Sequence, residues 1–555
     1  MPTGCAARRF AQPARRGRAL LGLAVGLLLL AACAPSAPPA ASPASGGGAP
    51  PADAASGGSA PPAGPSAAPP AAPVGNAAPK RLTIAYTVDL TGGLDPYAHS
   101  GSTEYARWLH VFDALVRYAP QASTWVPHLA ESWSMPSPTT IVFKLRDGVQ
   151  FHDGSPLTAE DVVYSFARQR EDPDSKQAST LSIVQSAEAV DRLTVRVTTR
   201  EPDAAFISRL DNVVIVSKTQ YDRLGPEGAI KQPNGTGPYR FKEFVPAQRL
   251  VLTRNPGYWG PYQPAWDEVV FRVIPEDEAR ITALLNGEVD LIAGLPYQSV
   301  ERVNASGRAH VAGVRGSRLM FVALNPIIAP LKDVRVRRAI AHAIDKDAII
   351  AGILQGHAYR IDGPLGPGMY GYAPDVGPRY DYDPARAKQL LAEAGYGGGF
   401  DTDFYTTVNR FPKDREVSAA IVQMLNQVGI RARLQTPDFG TYFQQFSRGD
   451  YATYYVGRGA VVDPSEYLQQ YFRTGVTKRL QFSDPDVDRL LAAQAAELNP
   501  EKRLDLLRQA QAKIVAEEPA VFLYQYEDTY GVADGLEFAP RMDEQIFAWD
   551  VQPRR

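Results

Sequence analysis

The chain is expected to fold as an α/β protein. Three observations carry that expectation. Strand-like and helix-like segments interleave from residue 81 to the C-terminus, no fixed-period repeat is visible, and 555 residues with 45% apolar content allow two to four domains with large cores. RLTIAYTV, residues 81–88, alternates and is β-branched, which predicts a strand. TTIVFKLRDG, 139–148, predicts another, closing at the turn dipeptides Asp147-Gly148 and Asp153-Gly154. LTVRVTTR, 193–200, alternates likewise, and the continuous apolar run NVVIVSK, 212–218, reads as a buried strand.

The helices are punctuated. In TAEDVVYSFARQ, Thr158 caps the N-terminus, Glu160 and Asp161 complement the helix dipole, and Val162, Val163 and Phe166 form the apolar face. DEARITALLNGEVDLIA, 277–293, is a helix, an Asn286-Gly287 turn and a strand. KDVRVRRAIAHAIDKDAIIAGIL, 332–354, repeats apolar positions at helical spacing. DPARAKQLLAEAG, 383–395, has Asp383 as N-cap, Pro384 in the first turn and Gly395 past the end, and SDPDVDRLLAAQAAEL, 483–498, opens the same way.

The N-terminal part follows other rules. Its first 18 residues hold five arginines and no acid, and ALLGLAVGLLLLAA, 19–32, is an apolar run of fourteen. That is a signal-peptide core, short of the roughly 20 residues that span a bilayer. It ends in LAAC, 30–33, which resembles a bacterial lipobox. The resemblance implies removal of residues 1–32 as a signal peptide and lipid attachment at Cys33; an A-x-A-type cleavage nearby is the alternative. Arg15-Arg16 leaves a twin-arginine export route open. Residues 34–79 are Ala, Pro, Gly and Ser except for Asp53, Val74 and Asn76, which predicts a disordered tether with a mean reach on the order of 40 Å. The chain's cysteines are Cys5 and Cys33, so cleavage before Cys33 leaves no pair for a disulfide.

Net charge is -2, from 58 basic and 60 acidic residues, which gives no electrostatic footprint for nucleic acid. The chain has no phosphate loop, no G-x-S-x-G elbow, no S-x-x-K and no H-E-x-x-H. Its seven histidines lack metal-site spacing, so neither a metal nor another cofactor is expected. His152-Asp153 reads as a turn, because neighbours in sequence point to different sides. YATYYVGRG, 451–459, is more suggestive. Tyr451, Tyr454 and Tyr455 precede Gly457-Arg458-Gly459, a composition that suits either a ligand-cleft wall or an aromatic core strand. Arg458 is either a partner for a ligand carboxylate or a solvated surface arginine.

Several stretches together resemble the family 5 solute-binding proteins of ABC importers, which include peptide- and nickel-binding proteins. They are LAESWS (129–134), FKLRDGVQFHDGSPLTAEDVVYSFAR (143–168), NGTGPYRFKEF (234–244), LTRNPGYWG (252–260), VVFRVIPEDEARITALLNGEVDLI (269–292) and LNPIIAPLKDVRVRRAIAHAIDKDAII (324–350). The resemblance runs from about 81 to 550. It implies a periplasmic-binding-protein-like fold of the cluster C type, with two lobes around a ligand cleft. Lobe one would take 80–111, 213–274 and 518–555, an inserted subdomain 112–212, and lobe two 275–517, with hinges near Pro275 and Pro519. In peptide-binding relatives an acid holds the ligand amine; counting back from Asp463-Pro464 puts that position on Ala460. An arginine for the ligand carboxylate falls on Arg410. The expected ligand set is therefore Arg410, Arg458, Tyr454, Tyr455, Gly457 and Asn325.

The implied role is capture of a small solute for a membrane permease by a lipid-anchored, extracytoplasmic, non-enzymatic monomer. An oligopeptide or dipeptide is the leading solute. An oligosaccharide, a nickel chelate or an acidic amino-acid conjugate are alternatives, and a ligand-sensing subunit or an extracellular hydrolase are rival roles.

Overall fold

The computed structural model describes residues 80–90, 92–99, 101–120, 124–262, 264–459 and 462–554. The expectations for the signal peptide, Cys33, the tether and Ala460 fall outside these residues. The architecture is mixed α/β, built on an eleven-stranded sheet. In chain order its strands are β1 (Arg81–Tyr86), β2 (Tyr239–Val245), β3 (Arg249–Arg254), β4 (Glu268–Val273), β5 (Leu291–Ala293), β6 (Ala309–Leu324), β7 (Ala358–Arg360), β8 (Phe400–Tyr405), β9 (Ile430–Gln435), β10 (Thr453–Arg458) and β11 (Ala520–Ala533). They lie in the order β9-β8-β10-β6-β11-β5-β1-β4-β3-β2, with β7 paired to β11.

Two strands join the lobes. β6 has 16 residues and β11 has 14, and they pair antiparallel from Ala309↔Ala533 to Ala323↔Ala520. At one end they meet β5 and, through it, β1; at the other they meet β10. Of the expected hinge positions, Pro275 lies outside this ribbon, while Pro519 stands at its end, its carbonyl accepting from Leu324 N at 2.9 Å. β5 pairs with β1 in parallel, so the chain after Pro275 is still in the first half of the sheet, and β11 begins among the strands of the second half.

Strand alternation explains the cores. On β6, Leu319, Phe321 and Ala323 enter one apolar cluster, while Met320, Val322 and Leu324 enter another on the opposite face. All six are fully buried, each leucine or phenylalanine contributing about 1.5–3 kcal/mol relative to exposure. A sheet covered on both faces reads as a continuous apolar run, which is what LMFVAL shows.

Residues 130–199 form a separate four-stranded antiparallel sheet, with its own core that extends from Leu115 to Ile215. Its helix Ala159–Glu171 starts as the sequence predicts: Asp161 Oδ2 accepts from Thr158 N at 2.8 Å and from Thr158 Oγ1 at 2.9 Å. Asp383 likewise accepts from Arg386 N at 2.9 Å to start the helix Pro384–Glu393.

Two expectations are corrected. Residues 212–218 are buried at Val213–Val216 but form no strand beyond a bridge between Val214 and Ala114; Ile215 N donates to Asp113 O and Val216 N to Ser165 Oγ instead. The segment 332–354 is broken. A helix covers Val334–Ala343, then Asp345 takes a non-helical conformation and its side chain accepts from Ala348 N, starting a new turn.

Candidate functional site

The site is built on an irregularity in the ribbon. Pairing of β6 with β11 passes from Arg315↔Glu527 to Leu319↔Gln525, so β6 carries two extra residues there. Bulges re-aim side chains and favour functional sites. Gly316 is required at this one: a Cβ would stand 2.1 Å from Asp528 Oδ2, so only glycine lets that carboxylate lie against the backbone. Ser317 N donates to Met542 O at 2.8 Å, tying the bulge to the C-terminal segment.

The bulge turns Arg318 toward Glu544. Arg318 Nη2 donates to both carboxylate oxygens, at 2.8 and 3.0 Å. Ser102 Oγ, at the start of the helix Ser102–Trp108, donates to Glu544 Oε2 at 3.2 Å. On its other side the Arg318 guanidinium covers Gly459, where a Cβ would lie 2.5 Å from Cζ. The helix Ser102–Trp108, the bulge, the end of β10 and the C-terminal segment thus meet around one ion pair. Burial opposes the Arg318 charge, but Glu544 and Asp528 outweigh it and raise its pKa. Burial, reinforced by Glu544, pushes the Asp528 carboxyl well above the usual range, and among the described residues its Oδ2 has no hydrogen-bond partner.

Arg410 completes the cluster. Its loop is fixed by Asp414, which accepts from Thr407 Oγ1 (2.8 Å) and from the backbone N of Asn409 (3.0 Å), Arg410 (3.0 Å) and Phe411 (3.3 Å). Its guanidinium carbon lies 5.4 Å from the centre of the Phe411 ring, and among the described residues it forms no ion pair. Protein surrounds the residue yet leaves its surface open to solvent. That enclosure, with the like charge of Arg318, lowers its pKa.

Other expected residues are placed differently. Gly457 belongs to the same region: a Cβ there would lie 2.4 Å from Met320 Sδ and 3.0 Å from Phe411 Cε1. Its neighbours on β10 point to the opposite face, by the period of a strand. Arg458 pairs with Glu466 at 3.2 Å. Tyr454 is fully buried and donates to Arg479 O at 2.8 Å. Tyr455 is also fully buried, its hydroxyl 2.6 and 2.9 Å from those of Tyr524 and Tyr526. The tyrosines therefore pack as cores on both sides of the sheet, in place of a cleft wall. Asn325 is buried in a turn, its side-chain oxygen accepting from Ile327 N at 3.3 Å.

His152 and Asp153 serve the scaffold. His152 Nε2 lies 3.0 Å from Gly237 O, and Asp153 accepts from Ser155 N at 3.0 Å. Burial lowers the His152 pKa to about 4, so the ring is neutral at pH 7. Gly235 is needed for this packing, since its Cβ would fall 2.0 Å from Val111 O.

Sequence reading missed Arg318, Asp528 and Glu544. For the first two the sequence offers only a charge set inside a strand, Arg318 between Ser317 and Leu319 and Asp528 between Glu527 and Thr529, too common a pattern to single them out. Nothing in the sequence marks Glu544.

A two-lobed α/β body with an open charged cluster where its lobes join is a solute-binding architecture. Residues 124–479 match the family described as bacterial extracellular solute-binding proteins, family 5 Middle. The chain is 29% identical over 472 residues to heme-binding protein A of Haemophilus influenzae, covering 79% of this chain and 84% of that protein. It is 29% identical over 469 residues to the dipeptide-binding protein of Escherichia coli, covering 78% and 86%. Among solved structures, the periplasmic binding protein DppA from Helicobacter pylori in complex with the peptide STSA superposes with a TM-score of 0.72 at 27% identity, covering 86% of this chain and 98% of that one. The chain belongs to the family 5 extracellular solute-binding proteins. These relatives are solute-binding proteins rather than enzymes.

Proposed function

We propose that the protein is anchored through a lipid on Cys33 and captures a short peptide in the interlobe cleft for delivery to an ABC permease. The observation that carries the ligand reading is Arg410: a cation without an ion-pair partner on the cleft wall, lowered in pKa and fixed by a loop that Asp414 holds. A peptide carboxylate completes it. Asp528 supplies the acid for the ligand amine in place of Ala460. The names of the dipeptide-binding and peptide-bound relatives support the same solute class. Lobe one comprises 80–314 and 527–554, including the subdomain around 115–215, and lobe two comprises 319–525. The two lobes close about the ribbon at the bulge.

A second reading keeps the role and changes the solute. With Arg318 and Arg410 side by side, an acidic amino-acid conjugate suits the cleft as well. Mass spectrometry of the solute released from purified protein, followed by calorimetry, tests both. A peptide whose binding is lost on C-terminal amidation supports the first reading, and a polyanionic solute that ignores N-acetylation supports the second. Turnover of the solute on incubation overturns both.

A further inference from the structure

Away from the bulge, a cavity of about 210 Å³ lies between the strand pair Val116–Ala119 and Thr124–Pro127, the turn at Asp211 and the segment 541–550. One wall is an aromatic stack. Tyr262 lies on Trp549 with ring centres 4.5 Å apart and planes at 14°, and Trp549 lies on Phe547 at 4.5 Å and 9°.

Arg117 and Asp211 also line this cavity and are only 5% and 6% exposed. Both are incompletely bonded. Arg117 Nη2 donates to Leu109 O at 3.2 Å and lies 3.8 Å from Asp113 Oδ1, and the guanidinium carbon lies 5.9 Å from the centre of the Phe547 ring, while Nε and Nη1 have no hydrogen-bond partner among the described residues. Among the described residues Asp211 Oδ1 has none either, although the carboxylate accepts from the backbone N–H of Tyr118. The two approach to 4.0 Å, beyond hydrogen-bond reach. Arg541, by contrast, is satisfied by Asp543 at 3.0 and 2.6 Å. Burial raises the carboxyls of Asp211 and Asp550 to about 6, so at neutral pH both hold a charge that their surroundings oppose. Buried polar atoms are almost always bonded, and each exception calls for a partner.

We propose that this cavity is a second binding site, taking a small zwitterion of α-amino-acid size. Its carboxylate meets the open N–H groups of Arg117, its ammonium meets Asp211 and Asp550, and its apolar part lies along the edge of the Trp549 stack. A lone anion or cation would satisfy one of the two buried partners and leave the other; a zwitterion satisfies both and buries no net charge. The site is distinct from the cleft. The segment Arg541–Gln545 separates them, with Glu544 turned to Arg318 while Arg541 and Gln545 line the cavity.

Titration calorimetry of the full chain against free L-amino acids, each paired with its N-acetyl amide, tests this. At least one free amino acid binds, and its N-acetyl amide binds at least about tenfold more weakly, since both charges are gone. Arg117→Gln risks the fold, so the isosteric Asp211→Asn is the decisive variant; it weakens binding at least about tenfold with an unchanged melting temperature. Arg410→Ala leaves this binding within about twofold, which separates the cavity from the cleft. No heat with any amino acid, equal affinity in Asp211→Asn, or loss of binding in Arg410→Ala overturns the proposal.

Discussion

Two arginine–carboxylate assemblies stand near the end of β10, and they differ in completeness. Arg503 grips Asp463 with two bonds, at 2.8 and 2.9 Å, and both side chains are more than nine-tenths buried. Arg318 also grips a carboxylate twice, but beside it Asp528 keeps an unbonded oxygen and Arg410 keeps an open guanidinium. A completed pair holds structure, and an uncompleted one leaves bonding capacity open. The difference lies in the bulge: the Arg503 pair joins regular helix and loop, whereas the Arg318 cluster hangs on a strand that has lost its register.

This contrast can be broken experimentally. Asp463→Ala strands a buried guanidinium and should cost about 3 to 5 kcal/mol of stability in urea denaturation, with solute affinity scored on the folded fraction. Arg410→Ala should do the reverse, weakening a carboxylate-bearing solute by about 2 to 5 kcal/mol in calorimetry while stability moves by no more than about 0.5 kcal/mol. Equal effects on both properties in either variant would erase the distinction. Gly457→Ala forces a methyl into Met320 and Phe411 and should cost about 1 to 3 kcal/mol in the same denaturation assay. The smallest effect is a slope. The Asp528 pKa is raised in the folded state, so its contribution is fully present below about pH 4 and is lost as pH rises through the folded value. Asp528→Asn should flatten that decline in stability measured from pH 4 to 8; an unchanged slope would show that Asp528 has an ordinary pKa.

The sequence made the frame legible because strands and caps are local. RLTIAY and TVRVTT carry their alternation within six residues, and Asp383 reaches only three residues to its acceptor role. The break at Asp345 was hidden, since its apolar positions continue on both sides and only the side-chain bond to Ala348 N marks the interruption. Arg410 was singled out by the resemblance and by no local pattern. Arg318, Asp528 and Glu544 were not, because they lie far apart in the chain and are brought together by a register shift that no local pattern announces. For YATYYVGRG, composition allowed both a wall and a core, and burial of all three tyrosines settles on the core.

The long ribbon of β6 and β11 has a mechanical consequence. Two strands hydrogen-bonded along most of their length resist sliding past one another and resist stretching, but they flex where the ladder lapses. Such a connection behaves as a leaf spring whose ladder lapses at two places, between Met320 and Phe321 and, more widely, at the soft spot of Gly316 and Ser317. Whatever lodges beside that spot, touching Asp528 or Arg318, sits at the fulcrum, where a small displacement swings the far rims of the molecule through a wide arc.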